Sequence, residues 1–343
     1  MSKKYNICVL GATGMVGREM IKVLEQRNFP VNRFLPLASE RTAGTKVSFQ
    51  GKEYTVELAE PKSFEGIEIG LFSAGAKVSA VLAPEAARRG CVVIDNTSHF
   101  RMDPNVPLVV PEVNGHAIKN HKGIIANPNC STAQLVLPLK PIYDAVGIER
   151  IVVSTYQSTS GWGKEAVAEM YEQTKEVLAD PQAKVKVKYL PKRIAFNVIP
   201  QIDQFIDNGY TKEEMKMVNE TRKILEDEEI RITATTVRVP VAVGHSESVN
   251  IQTERKITVQ QVRDLLSKFP TIKVMDDPAN GIYPTPLDCV GKDDTLVGRI
   301  REDISIPNGI EMWIVSDNLR RGAALNAVLI AERMIKDGLV TGS

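Results

Sequence analysis

Four side chains have the types and surroundings to do covalent chemistry: Cys130, Gln157, Arg238 and His245. Cys130 stands in Asn127-Pro128-Asn129-Cys130-Ser131-Thr132, between the strand pattern Gly123-Ile124-Ile125-Ala126 and an apolar helix pattern. That order puts the sulfur at or just before a helix N-terminus, where partial positive charge favours the nucleophilic thiolate. Cysteine is more often inert core filling, and Cys8, Cys91 and Cys289 suit that description; on residues alone, Cys130 stands between the two readings. A thiolate that attacks an aldehyde calls for a proton acceptor. Of the four histidines, His99, His116, His121 and His245, the last lies in Val243-Gly244-His245-Ser246-Glu247-Ser248, between two strand patterns. Loops at strand ends commonly carry catalytic bases, although a surface histidine is the plainer alternative. Gln157 ends a strand pattern, and its amide donates and accepts at once. Arg238 falls inside Thr236-Val237-Arg238-Val239, where it is either a solvated charge or an inward one that requires an anion.

A second motif points to a nucleotide. Leu10-Gly11-Ala12-Thr13-Gly14-Met15-Val16-Gly17 has the spacing G-x-x-G-x-x-G, a variant of the dinucleotide fingerprint. Small residues there let backbone N–H groups and a helix N-terminus approach a pyrophosphate, and the motif follows a strand directly. The second strand pattern ends in Leu37-Ala38-Ser39-Glu40-Arg41-Thr42. Ser39, Arg41 and Thr42 suit a ribose 2′-phosphate, since guanidinium binds phosphate through paired charged hydrogen bonds. Glu40 would instead serve a 2′-hydroxyl. NADP is the expectation, with NAD left open. The cysteines form no C-x-x-C pair and no histidine stands at metal-ligand spacing, so no metal is expected.

These residues must be positioned by two kinds of architecture. Residues 7–10, 34–38, 67–72 and 91–94 read as short buried strands, with helices over 18–26 and 80–89. Strands alternating with helices mean parallel βαβ units, hence a Rossmann-type doubly wound α/β sheet. Later strands over 150–156, 232–241, 248–253, 296–300 and 311–315 are longer and alternate, which predicts an α+β domain with a mixed sheet. Thr211 with Glu214 and Thr258 with Gln261 form capping boxes at two helix starts. Glu214 is therefore either a cap alone or part of a site together with Lys216. The tail 323–336 reads as a helix stopped by Gly338 and is expected to pack on the first domain.

The chain has 343 residues, a length that favours two domains. Hydrophobic residues at 43% and charged residues at 25% suit a globular protein, and the net charge of +1 offers nothing for nucleic acid or a membrane surface. The opening residues lead into an apolar run of about five, shorter than a signal-peptide core, and a cytoplasmic location is expected.

Taken in order, the glycine motif, Ser98-His99-Phe100-Arg101-Met102, the Cys130 motif, Tyr156-Gln157-Ser158-Thr159-Ser160-Gly161, and Arg238 with Gly244-His245-Ser246-Glu247 resemble the bacterial aspartate-semialdehyde dehydrogenases, from about residue 5 to 335. The resemblance implies a phosphorylating, NADP-dependent aldehyde dehydrogenase of amino-acid biosynthesis. It implies Cys130 as acyl-thioester nucleophile, His245 as general base and Gln157 as the residue that orients substrate. Arg238 would bind the substrate carboxylate, Arg101 and Lys216 the phosphate, and Glu214 would lie near the substrate ammonium or in the active-site network. Gly11, Thr13, Gly14, Met15, Val16, Ser39, Arg41, Thr42, Ser160, Gly161 and Asn318 would contact the cofactor. The implied domains are an NADP-binding one over 1–127 with 320–343, and a catalytic and dimerisation one over 128–319. A homodimer is implied, with a homotetramer as the larger alternative. Glyceraldehyde-3-phosphate dehydrogenase and N-acetylglutamyl-phosphate reductase share the cysteine–histidine logic, but the sequence around Cys130 and the Gln157 run argue against both. A nucleotide sensor that has lost the reaction is the alternative from another class, opposed by the joint presence of Cys130, Gln157, Arg238 and His245.

Overall fold

The computed structural model describes residues 3–340; the outer ends of the expected domains, residues 1–2 and 341–343, lie outside it. The chain forms two compact units, residues 1–129 with 323–343, and residues 130–322. Among the described residues no helix is long and apolar enough to cross a membrane.

The first unit is built on a six-stranded sheet of β1 (Tyr5–Leu10), β2 (Val31–Ala38), β5 (Glu57–Leu58), β6 (Ile69–Phe72), β7 (Val92–Asp95) and β8 (Ile124–Ala126). The order is β5-β2-β1-β6-β7-β8, and every pairing is parallel. Such strands are covered on both faces, which explains why Ile7, Val9, Ile69, Leu71 and Ile94 are all fully buried. The order reverses between β1 and β6, and ligands of open α/β sheets gather at that reversal, beyond the carboxyl ends of the strands. The glycine motif occupies this point. Gly11 has φ +88°, and a Cβ there would stand 2.5 Å from the Ser73 carbonyl oxygen, so only glycine allows the turn to pass that close. Helix α1 (Met15–Gln26) follows, with Met20, Ile21, Val23 and Leu24 inward. A hairpin of β3 (Lys46–Phe49) and β4 (Lys52–Thr55), α2 (Ala76–Arg88) and the short α3 (Pro111–Asn114) complete the unit. The C-terminal helix Leu325–Lys336 also belongs here, packing Leu325, Val328, Ile330 and Met334 into the same core.

The second unit opens with α4 (Cys130–Val146) and carries the sheet β10-β9-β11-β14-β13-β12. Its strands are β9 (Ile148–Gln157), β10 (Arg231–Arg238), β11 (His245–Thr253), β12 (Ile272–Val274), β13 (Thr295–Asp303) and β14 (Gly309–Ser316). β9–β10 and β12–β13 are parallel and the other pairs antiparallel, so the sheet is mixed. The sequence pattern extends β10 to residue 241. The strand stops at Arg238 because Pro240 has no N–H to continue a ladder. Helices α5 (Lys164–Ala179), α6 (Lys212–Leu225), α7 (Val259–Lys268) and α8 (Pro286–Cys289) accompany the sheet. The capping boxes at Thr211/Glu214 and Thr258/Gln261 both form. Replacing the exposed Thr258 with Ala removes the box on α7. The expected cost is about 1 kcal/mol, to be measured as a lower urea midpoint with unchanged turnover.

Candidate active site

Cys130 is the first residue of α4 and is half-buried. Space around it is set by a second glycine: a Cβ on Gly322 would lie 2.7 Å from the Cys130 Cβ and 2.9 Å from its Cα. The irregular helical turn Arg320–Ala324 can therefore cross the cysteine only with hydrogen at position 322. Arg238 of this unit is electrostatically coupled to the sulfur, and Gln157, Glu213, Lys216 and His245 are arranged around Arg238.

Arg238, the last residue of β10, is only 3% exposed. It donates from Nη1 to the Ser158 carbonyl at 2.7 Å. Burial pulls the guanidinium below its ordinary value, and the negative charges of Glu213 and Cys130 oppose that pull. Arg238 is thus the cation within electrostatic reach of the sulfur. Gln157 closes β9 at the neighbouring register position, opposite Arg238 in the parallel ladder. Its Nε2 lies 3.3 Å from Thr155 Oγ1 and 3.4 Å from Glu213 Oε1. The other Glu213 oxygen accepts from Lys216 Nζ at 3.2 Å, and Lys216 also donates to Asp203 at 2.9 Å. Burial works against the Lys216 charge, but Glu213 and Asp203 outweigh it and hold the ammonium above its ordinary value.

Sequence reasoning singled out Glu214 and passed over Glu213. Glu214 is occupied: Oε2 accepts from the Thr211 N–H at 2.7 Å and Oε1 from the Thr236 N–H at 2.9 Å. It ties the start of α6 to β10. Glu213 is the carboxylate that meets Gln157 and Lys216. The capping motif contained the signal, because a box spends its acidic third residue on the helix, and Glu213 then shares a face with Lys216 three positions on.

His245 begins β11 and is fully buried. Its Nδ1 accepts from the Ser158 backbone N–H at 3.1 Å and lies 3.0 Å from Ser158 Oγ. An accepting Nδ1 places the neutral ring's proton on Nε2. Burial first, and then the Arg238 charge, push the imidazole well below its ordinary value, so it is neutral at pH 7. Nε2 has no hydrogen-bond partner among the described residues. A Cβ on Gly161 would lie 3.3 Å from that atom and 2.9 Å from Arg238 Nη1. The two groups therefore both approach Gly161 closely. Ser160 and Asn318 stand behind the ring: Asn318 Oδ1 accepts from Ser158 Oγ at 3.1 Å and from the Gly244 N–H at 2.9 Å, and its Nδ2 donates to Ser160 Oγ at 3.0 Å.

The remaining expected residues lie in the first unit. Gly11, Thr13, Gly14, Ser39, Arg41 and Thr42 line one cavity of about 440 Å³, with Glu40 beside them. Thr13 Oγ1 and Thr42 Oγ1 meet at 3.0 Å and close the motif onto the second strand. Met15 and Val16 open α1. Arg101 is buried at the carboxyl edge of the sheet, donating from Nε to the Asn127 carbonyl and from Nη2 to that of Asn96, both at 2.9 Å.

Comparison with known proteins agrees with this geometry. Residues 6–121 match the family model described as semialdehyde dehydrogenase, NAD binding domain, and residues 139–321 that described as semialdehyde dehydrogenase, dimerisation domain. The aspartate-semialdehyde dehydrogenase of Bacillus subtilis is 53% identical, covering 99% of this chain and 100% of its own; that of Aquifex aeolicus is 52% identical over 98% and 99%. The chain belongs to the aspartate-semialdehyde dehydrogenase family. Aspartate semialdehyde dehydrogenase II of Vibrio cholerae, solved in complex with ASA, superposes with a TM-score of 0.93 at 50% identity over 98% of this chain and 99% of that one. The Candida albicans enzyme, solved with NADP, gives 0.77 at 26% identity over 98% and 100%.

Gly161→Ala tests whether this close approach matters. The added methyl would displace Arg238 or the His245 ring, and turnover should fall at least roughly 10²-fold, the scale set by small misplacements, while the circular dichroism spectrum stays unchanged.

Proposed function

We propose that the chain catalyses the reversible, phosphate-dependent oxidation of L-aspartate 4-semialdehyde to L-4-aspartyl phosphate. Reduction of the acyl phosphate is the biosynthetic direction, toward lysine, threonine, methionine and diaminopimelate. The observation that carries this reading is a buried Arg238, electrostatically coupled to Cys130, that meets Gly161 together with the unpartnered Nε2 of His245. The named activity of relatives sharing half the sequence supports the substrate. Arg41 in the first-unit cavity, together with the Candida structure solved with NADP, supports NADP.

Arg238 anchors the substrate carboxylate, replacing the water it lost on burial. Glu213 takes the ammonium, and Gln157, held by Thr155 and Glu213, orients the carbonyl. The Cys130 thiolate adds to the aldehyde carbon, and the electrons of the carbonyl bond move to oxygen. The Nε2–H of His245 donates to that alkoxide, acting as a fixed dipole where charge develops. Removal of a hydroxyl proton, the base role implied by the resemblance, is unnecessary when sulfur attacks already ionised. NADP, when bound, accepts a hydride in this direction and supplies one in the other. Phosphate, for which the resemblance implies Lys216 and Arg101 as ligands, then adds through oxygen to the thioester carbonyl, the C–S bond breaks, and Cys130 leaves as the thiolate. Gly161 borders the substrate and cofactor, whereas Ser160 and Asn318 act through Ser158 on the His245 ring.

We further propose that residues 1–129 with 323–343 form the NADP-binding domain and 130–322 the catalytic and dimerisation domain. The outward face of the mixed sheet, where Tyr156 and Trp313 meet at a tilt with centroids 5.3 Å apart and Tyr156 is 37% exposed, forms the dimer interface. Pairing of dimers into a tetramer is the larger form of the same proposal. Four free thiols fit a reducing cytoplasm.

Cys130→Ala should lower turnover with aspartate semialdehyde, phosphate and NADP⁺ by at least about 10³-fold; full retention would end the proposal. His245→Gln, which keeps a donor near Nε2, should retain at least roughly tenfold more activity than His245→Ala, by analogy with loss of an oxyanion donor. Because the imidazole is held low, the wild-type pH–rate profile should show no His245 inflection near 6.5. Protonation of the ring, and any loss of rate that it causes, belongs at lower pH. Trp313→Arg should shift the sedimenting species from dimer to monomer.

A further inference from the structure

We propose that Glu247 is a positioning residue that carries a proton in the working enzyme and, through Gln134, holds His245 to the first turns of α4. It rests on the roles given above to Cys130 and His245.

Residues 245, 247, 249 and 251 of β11 share one face of the sheet, because side chains alternate along a strand. Val249 and Ile251 fill the core on that face. Glu247 occupies the intervening position and is fully buried, with neither carboxyl oxygen partnered among the described residues. Directly opposite stand Thr155 of β9 and Ile314 of β14, neither charged. From α4 the side chain beside it is Gln134, also fully buried. On its own strand the titratable neighbour is His245, held neutral.

Gln134 fixes the proton's place. Its Nε2 lies 3.4 Å from the His245 backbone carbonyl, an atom that can only accept. The amide must therefore turn its NH₂ to His245 and leave Oε1 without a donor. An ionised Glu247 would bury a charge that none of these neighbours offsets with a cation, and Gln134, with one N–H on the His245 carbonyl, has only its second to offer a carboxylate. One proton on Glu247 removes that charge and gives the carboxyl an O–H to donate to Gln134 Oε1, which otherwise has no donor among the described residues. Burial pushes the Glu247 carboxyl well above its ordinary range, and the Gln134 amide is the single opposing influence. The resulting path is Glu247 to Gln134 to the His245 carbonyl. Gln134 lies one helical turn after Cys130, so the path fixes the strand that carries the imidazole against the helix that carries the sulfur.

Retaining such a group costs stability with a definite sign. The unfolded carboxyl ionises above about 4.5 and the folded one does not, so the contribution of Glu247 falls as pH rises past that value. Glu247→Gln keeps the donor and cannot ionise; it should be at least as stable as wild type at pH 7 and lose less stability between pH 4.5 and 7.

The experiment compares full-length wild type, Glu247→Gln and Glu247→Leu. Infrared difference spectra of wild type minus Glu247→Gln at pH 7 should show a protonated-carboxyl stretch. Glu247→Gln should keep kcat within about threefold, while Glu247→Leu loses at least tenfold in kcat with KM for aspartate semialdehyde unchanged. Absence of the stretch, or a Glu247→Gln variant as impaired as Glu247→Leu, overturns the proposal; if Glu247→Leu does not fold, the spectrum and Glu247→Gln decide alone. Failure of the parent reading is distinct, since it would appear as absent turnover in wild type.

Discussion

Arg238 is a charge that the second unit has taken out of water, and its neighbours are arranged around that fact. A buried guanidinium is tolerable only where hydrogen bonds and negative charge offset the lost solvent. The Ser158 carbonyl supplies the first and Glu213 the second. The same field that makes Arg238 seek anions favours a thiolate at Cys130 and disfavours a second positive charge on His245. Burial is the larger influence on the imidazole and the Arg238 charge adds to it, while the same charge draws the sulfur toward its anionic form. In the proposed function, the substrate's carboxylate is the anion the site still lacks.

Backbone geometry delivers these groups to one place. β9, β10 and β11 are adjacent in the mixed sheet; Gln157 and Arg238 end two of them and His245 starts the third. Hydrogen in place of a methyl at Gly161 and Gly322 leaves the room the site needs. The division of labour between Glu213 and Glu214 follows from helix capping: the start of α6 needs one carboxylate for its own N–H groups, and the adjacent residue faces the cluster instead.

Much of this was legible before any coordinates. The parallel sheet followed from short apolar strands alternating with helices, and the helix start at Cys130 from a strand, a polar turn and an apolar helix in sequence. The capping boxes were read at the right residues. Three features were not legible, each for a physical reason. β10 ends at Arg238 because of the proline two residues later, so an arginine read as mid-strand stands at the strand's end. The role of Glu213 depends on which way two adjacent carboxylates point, which the capping motif constrains but hydrophobic periodicity does not. The burial of Glu247 could not be read from Gly244-His245-Ser246-Glu247, because polar residues around a strand start resemble an exposed edge. Ser160 and Asn318, expected at the cofactor, also hydrogen-bond each other, and Asn318 accepts from Ser158 Oγ.

The central claim is that acyl transfer passes through the sulfur of Cys130. The most direct measurement mixes the protein with aspartate semialdehyde and NADP⁺ while phosphate is withheld, then maps the covalent adduct by mass spectrometry of the digested chain. The expected result is one aspartyl group in thioester linkage on Cys130, discharged when phosphate is added. An unmodified Cys130, or an adduct on any other residue that phosphate discharges at the rate of turnover, would contradict it.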